Sequence, residues 1–240
     1  MFVAATKTVS EINSTPTRVS LDQVIAFALC PIVLVILAIL CPIVLICQGR
    51  PFLFASERMR APGQAFTLLK IRTMQPPLPG EEEAVLGGHQ ALRVTRIGAA
   101  LRRSRLDELP QIFNVIRGDI RFIGPRPPLR RYVEAYPELY SAVLRDTVPG
   151  ITGLATVMLH RREEKLLAVC KSSEEADLVY RRRCIPLKAR LDLIYCDNRC
   201  LRLDVWILIR TVTGLRLRMT ELCRPATPDC KQRECVPVAA

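Results

Sequence analysis

Two adjacent carboxylates, Asp107 and Glu108, stand in the stretch Ser104-Arg-Leu-Asp-Glu-Leu-Pro-Gln-Ile-Phe-Asn-Val-Ile-Arg-Gly-Asp119, where an apolar period begins. Leu109, Ile112, Phe113 and Ile116 recur at helical spacing and Gly118 supplies a stop. The pattern predicts a short helix with both acids at its positive end. A carboxylate is ionised at neutral pH, so it can attack phosphorus without a base or hold a divalent cation. Taken alone, Asp107 reads as a helix N-cap paired with Ser104.

The basic residues around this stretch change that reading. Gly124-Pro125-Arg126-Pro127-Pro128 is a turn whose dihedrals proline largely fixes, and it carries one guanidinium suited to capturing a phosphate. In Lys70-Ile-Arg-Thr-Met74 the alternation of a strand places Lys70 and Arg72 on one face, where two cations converge on one anion. The same spacing also fits a pair of solvated strand charges. A short helix predicted from Arg93 to Arg102, with Ile97 and Leu101 as its stripe, brings Arg102, Arg103 and Arg105 close to the acids.

Several elements must hold these residues in place. Residues 1–20 are polar and lack a cleavage pattern, and they read as a flexible lead-in. No charge occurs from Val24 to Cys47, about 24 residues, which as a helix reach roughly 36 Å and suffice to span a bilayer. Pro31 and Pro42 interrupt the run, and basic residues on both sides (Lys7 and Arg18, then Arg50, Arg58 and Arg60) favour both ends in the cytoplasm. Segment 21–48 is therefore expected to be a re-entrant membrane helix, with a plain transmembrane helix as the alternative.

Strands over Pro51–Phe54 and Phe66–Thr73 around the turn Arg60-Ala-Pro-Gly63 predict a small β-hairpin. Gln75 to Gln90 is expected to be a mobile loop beside the site, Leu129 to Arg145 a helix broken at Pro137, and Pro149-Gly-Ile-Thr-Gly153 a tight loop. Leu191–Asn198 and Leu201–Leu217 read as helices in which Trp206, Ile207, Ile209 and Val212 are set among arginines. Such helices either lie on an anionic membrane as basic amphipathic interfacial helices or pack on the core. The expected fold is mixed α/β and mostly helical, with one cytosolic domain over 49–219 and a disordered tail over 220–240.

Lys70-Ile-Arg-Thr-Met74, the Asp107-Glu108 stretch, Gly124-Pro-Arg-Pro-Pro128 and Pro149-Gly-Ile-Thr-Gly153 occur here together. On these motifs the chain resembles the monotopic bacterial sugar transferases, the polyprenyl-phosphate phosphoglycosyl transferases that start surface-glycan and glycoprotein assembly. The resemblance runs from about Leu21 to Leu217. It implies transfer of a sugar-1-phosphate from a nucleoside diphosphate sugar, a UDP-sugar, to a polyprenyl phosphate such as undecaprenyl phosphate. It further implies that UMP is released, that Mg2+ is the cofactor, and that the catalytic domain works on the cytoplasmic face of the bacterial inner membrane, initiating exopolysaccharide, O-antigen or other glycan assembly.

The resemblance also implies roles for residues. Cys30-Pro31 stands where the family has a Ser-Pro helix break. Asp107 is the nucleophile that forms an aspartyl phospho-sugar, Glu108 holds the metal, and Lys70, Arg72, Arg102 and Arg126 bind substrate phosphates. Asp192, in the shared pattern Leu191-Asp-Leu-Ile-Tyr195, joins that phosphate-binding set or pairs with an arginine. Leu154-Ala-Thr-Val157 departs from the family's Trp-Ala-Gln-Val, so the identity of the sugar is not inherited.

Composition narrows the partners. A chain of 240 residues with 50% hydrophobic content suits one domain with an appended segment. A net charge of +12 points to an anionic partner: a nucleic acid, an anionic membrane or a phosphorylated substrate. With 5% aromatic residues and no groove-reading motif, nucleic acid is not expected. The ten cysteines form no Cys-x-x-Cys pair and read as reduced thiols. Neither Cys196 with Cys200 nor the set Cys223, Cys230 and Cys235 has a histidine nearby, so zinc is not expected. The departures after Gly153 leave a catalytically inactive membrane-bound adaptor as the alternative function.

Overall fold

The first helix begins at a capping box. The Ser20 hydroxyl accepts the Gln23 N–H at 3.3 Å while Gln23 Oε1 accepts the Ser20 N–H at 2.9 Å. The computed structural model describes residues 19–76, 93–145, 147–170 and 172–213. The expected lead-in up to residue 18, the loop from residue 77, the last helix beyond Thr213 and the tail over 220–240 lie outside them.

Helix α1, Leu21–Gln48, runs helically through Pro31 and Pro42. Both Cys-Pro steps thus lie inside the helix. By length and composition it can cross a membrane. Ala26, Val33, Leu37 and Val44 form its buried stripe, while Phe27, Ile32, Val35, Ile39 and Ile46 are exposed. Both ends are tied to the rest of the fold. At the start, Gln23 Nε2 donates to Ile116 O at 3.1 Å, and Asp22 Oδ1 accepts the Phe122 N–H at 3.2 Å. At the end, Thr95 Oγ1 donates to Gln48 Oε1 at 2.8 Å.

The expected hairpin forms from β1, Leu53–Ala61, and β2, Gln64–Ile71, paired antiparallel. Its turn is tighter than expected. Pairing continues past an irregularity between Met59 and Ala61 to Ala61↔Gln64, so only Pro62 and Gly63 bend the chain. Helix α2, Arg96–Ser104, is capped by Thr95, and helix α3, Gln111–Arg117, stops at Gly118, whose φ of 81° suits glycine. The two acids are not on α3. They belong to a 3₁₀ turn, Leu106–Glu108, because Pro110 has no N–H to continue an α-helical ladder from Leu106.

The stretch read as a tight loop at Pro149–Gly153 contains a strand instead. Strand β3, Arg121–Ile123, pairs in parallel with β4, Gly150–Thr152. The contact is so close that a Cβ on Gly150 would lie 2.2 Å from Gly124 N, and one on Gly153 would lie 2.2 Å from Gly124 O. Between the strands, α4 (Arg130–Ala135) and α5 (Pro137–Leu144) break at Pro137 as predicted.

Four further helices follow: α6 (Leu154–Ala168), α7 (Ser173–Val179), α8 (Ile185–Asp197) and α9 (Leu201–Thr213). A π-helical turn, Tyr180–Cys184, joins α7 to α8. One core gathers α1, β2, α2 and α3. A second gathers Leu154, Tyr195, Leu203, Trp206 and Ile207 against Ile123 of β3. The architecture is mixed and mostly helical, as expected.

Asn114 joins α3 to the free edge of the hairpin. Fully buried, it accepts the Leu69 N–H at 3.1 Å and donates to Thr67 O at 2.7 Å and Asp119 Oδ2 at 3.0 Å. Replacement of Asn114 by Ala strands the Leu69 and Thr67 backbone groups, a loss of roughly 1–3 kcal/mol. The thermal midpoint of the detergent-solubilised protein should fall by about 2–4 °C for each kcal/mol lost. An unchanged midpoint removes Asn114 from this joint.

Candidate active site

Arg105 ends α2 with a φ of 57°, uncommon for a residue with a side chain. That bend feeds the 3₁₀ turn, where neighbours are rotated by about 120°, so Asp107 and Glu108 take different surroundings. Glu108 is clamped. Its Oε1 accepts Lys70 Nζ at 3.1 Å and Arg126 Nη2 at 2.9 Å, and its Oε2 faces Arg105 Nη1 at 3.4 Å. Burial pushes the Glu108 carboxyl up, but Arg126 and then Lys70 outweigh it and hold the group down at about 2.

Asp107 is buried, 7% exposed, and its carboxylate makes no hydrogen bond or ion pair among the described residues. Burial raises its carboxyl above the usual range; Lys70 opposes this and the charge of Glu108 adds to it. Lys70 is pulled down to about 8 by burial and by Arg126, against the pull of Glu108 and Asp107. Two adjacent acids are thus set apart by their environment: one is neutralised by direct contacts, and the other is left unclamped beside the same cations.

The other expected site residues divide. Arg126 sits on its Pro-rich turn with Nη1 also reaching Ile151 O at 3.4 Å. Arg102 borders the acids and its charge reaches Asp107, but its Nε donates to Thr73 Oγ1 at 2.8 Å and touches neither carboxylate. Arg72 turns away, and the expected convergence with Lys70 is not found. Its Nη2 donates to Gln48 O at 2.5 Å and Gly49 O at 2.7 Å. Strand β2 ends at Ile71, and the orphaned carbonyls at the end of α1 attract the guanidinium.

Asp192 contacts neither an arginine nor Lys70, Arg126 or Glu108. Its Oδ1 has no partner, and burial lifts its carboxyl to about 7 against the charge of Lys188 and the pull of the Ala155 N–H at the start of α6. Nor does Ser104 cap Asp107, because its hydroxyl donates back to Ala100 O and Leu101 O. Pro110, not Asp107, occupies the N-cap of α3. Asn114 and Thr73 were not singled out from the sequence. An asparagine amid the apolar period of α3 was the available signal, since a buried amide needs partners.

Among the described residues no three His, Cys, Asp or Glu side chains gather to hold a metal, and the described cysteines are all free. The tail set Cys223, Cys230 and Cys235 lies outside them. Magnesium nevertheless suits the donor chemistry, since it binds through one or two carboxylates together with substrate phosphates and keeps several waters. Glu108 Oε2, facing only Arg105 at 3.4 Å, is the less occupied oxygen of the clamped acid.

Lys70 gives the site a pH dependence with a definite sign. Its ammonium is charged below about pH 8 and neutral above it, so its attraction for an anion is present below that value and lost above it. Sulfate, whose charge is constant in this range, should bind the wild type about tenfold more weakly at pH 9 than at pH 7 by calorimetry. Lys70→Arg should flatten the profile. A flat wild-type profile excludes Lys70 from anion binding.

The family model described as bacterial sugar transferase matches residues 13–217. A Bacillus subtilis (strain 168) protein, provisionally named an undecaprenyl-phosphate N-acetylgalactosaminyl 1-phosphate transferase, is 38% identical over 129 residues, 52% of this chain and 66% of its own. The UDP-glucose:undecaprenyl-phosphate glucose-1-phosphate transferase of Caulobacter vibrioides is 36% identical over 136 residues, 54% of this chain and 49% of its own. The UDP-N-acetylgalactosamine-undecaprenyl-phosphate N-acetylgalactosaminephosphotransferase of Aeromonas hydrophila is 33% identical over 169 residues, 68% of this chain and 34% of its own. The matches thus cover from about a third to just under two thirds of these relatives. The family match takes in the hairpin, the two acids, the Pro-rich turn and every described helix, and the chain belongs to the bacterial sugar transferase family.

Proposed function

We propose that the protein transfers a sugar-1-phosphate from a UDP-sugar to a polyprenyl phosphate, undecaprenyl phosphate in the first instance, and so begins assembly of a bacterial glycan. The single observation that carries this reading is the contrast between the two acids: Asp107 has no partner among the described residues, while Glu108 is held by Lys70, Arg105 and Arg126. The names of the relatives support the same reaction class.

In the first step an Asp107 carboxylate oxygen attacks the phosphorus that bears the sugar. The bond from that phosphorus to the bridging oxygen breaks, and UMP leaves with the electron pair. In the second step an oxygen of the lipid phosphate attacks the same phosphorus, the aspartyl oxygen leaves, and Asp107 is restored as a carboxylate beside a lipid diphosphate sugar. Lys70 and Arg126 offset the charge of the phosphoryl oxygens, and Arg102 adds its charge from beside Thr73. Magnesium held through Glu108, when bound, would neutralise the diphosphate and orient it.

The direct test incubates full-length protein with UDP-sugar and magnesium but no lipid acceptor, quenches rapidly and analyses intact mass. A sugar-phosphate adduct on the Asp107 peptide is expected, absent in chelator and weakened in Glu108→Gln. Asp107→Asn should keep the thermal midpoint and lose turnover by orders of magnitude. Near-normal turnover in Asp107→Asn would sink the mechanism, and wild-type protein that releases no UMP in the presence of acceptor would favour an inactive adaptor.

The proposed location is the bacterial inner membrane, with the catalytic domain on the cytoplasmic face. Support comes from α1, whose two ends are both fastened to the same folded unit although its flanks are apolar and exposed. That arrangement suits a helix that enters one leaflet and keeps both ends on one side better than a plain span. Helix α9 adds a second surface. Trp206 and Ile207 are buried, but Leu201, Val205, Leu208, Ile209 and Val212 are exposed, with Arg202 beside them, as an anionic bilayer surface would require. Accessibility tags at residues 3 and 85 should therefore both report cytosol. A periplasmic tag at residue 3 leaves the spanning helix.

A further inference from the structure

Arg58, on β1, carries a guanidinium that no acid among the described residues meets. The register pairs Arg58 with Phe66, and Phe66, Leu68 and Lys70 alternate onto one face of the hairpin, so Arg58 and Lys70 share that face. The next backbone N–H, that of Met59, donates to Pro128 O at 3.0 Å and sets β1 against the turn that bears Arg126. Glu57, the acid nearest in sequence, points to the opposite face and is taken by Arg130 through contacts of 2.7 and 3.2 Å. Glu163, whose charge reaches Arg126, is held by Lys188 at 2.6 Å.

Arg58 accordingly makes no hydrogen bond or ion pair among the described residues, and its Nε is buried without a partner. Burial and then the neighbouring Arg126 pull the group down to about 10. A partly desolvated guanidinium beside a second guanidinium, with no carboxylate of the described residues between them, is unfavourable until an anion arrives. A residue kept only to brace the turn would be expected to hydrogen-bond something in it.

We propose that Arg58 is a further substrate-binding residue, forming with Arg126 a second anion subsite that takes a phosphate oxygen on the side of Arg126 away from Lys70. This rests on the transferase reading, which brings two phosphates to the site besides the one attacked. They are the nucleotide-side phosphate of the donor and the phosphate of the lipid acceptor, and an unpaired guanidinium recognises either by the same charge-assisted hydrogen bonds.

The test uses full-length detergent-solubilised protein with Arg58→Gln and Arg58→Lys. Inorganic pyrophosphate, titrated by calorimetry, should bind Arg58→Gln at least about tenfold more weakly than wild type, with Arg58→Lys between them. The thermal midpoint without ligand should not fall, because the variant removes an unpaired charge. Steady-state kinetics then separate the two sources: a raised KM for UDP-glucose alone assigns the nucleotide-side phosphate, and a raised KM for undecaprenyl phosphate alone assigns the acceptor. Pyrophosphate affinity within about twofold of wild type, or weakened binding accompanied by a lower midpoint in both variants, overturns the proposal. Arg58-dependent pyrophosphate binding in a protein that turns over no sugar nucleotide would keep the subsite and reject the transferase reading.

Discussion

A carboxylate drawn out of water has to be met by charge, and Glu108 is met by cations from three separate elements: Lys70 from β2, Arg105 from the end of α2 and Arg126 from the Pro-rich turn. Attraction alone does not place them, because losing one partner of a buried ion pair leaves an uncompensated charge that is strongly unfavourable. Each element therefore has its own anchor. Asn114 fixes the edge of β2, the left-handed Arg105 redirects the chain after α2, and Gly150 of β4 with Gly153 after it lets the backbone of the turn come within contact distance. The site is the place where these three constraints meet.

The same logic explains the reach of α1. Its last carbonyls would be orphaned at Gln48 and Gly49, and Arg72 supplies them with donors only two residues after Lys70 presents its ammonium to Glu108. One short segment thus fastens the apolar helix with one cation and builds the anion site with the other.

Much of this was legible from residue types and spacing. The acids, Lys70, Arg126, the Gly118 stop and the break at Pro137 depend on local chemistry, which a sequence displays directly. What it could not display depends on partners distant in the chain. Arg72 was assigned to the site because alternation predicted a shared strand face, but the strand ends one residue before it and a helix terminus 24 positions away claims it. Strand β4 was read as a loop because three residues with two glycines nearby carry no strand signal; their pairing with β3 exists only once the turn folds back. The 3₁₀ turn was hidden because the acids and the apolar period look continuous in sequence, and the missing N–H of Pro110 is what separates them.

That separation bears on why two acids stand side by side. In the proposed reaction Asp107 must be ionised and unencumbered while strong cations lie close enough to receive phosphoryl oxygens. Without Glu108, Lys70 would be left with Asp107 as the described carboxylate whose charge reaches it, and a direct ion pair there would lower its nucleophilicity and block its approach to phosphorus. Glu108 takes those contacts instead, staying charged to about pH 2. It leaves the Asp107 carboxyl raised by burial, hence more basic, within the field of the same cations. The clamped acid can then serve the unclamped one before any substrate arrives, by occupying the cations that would otherwise quench it.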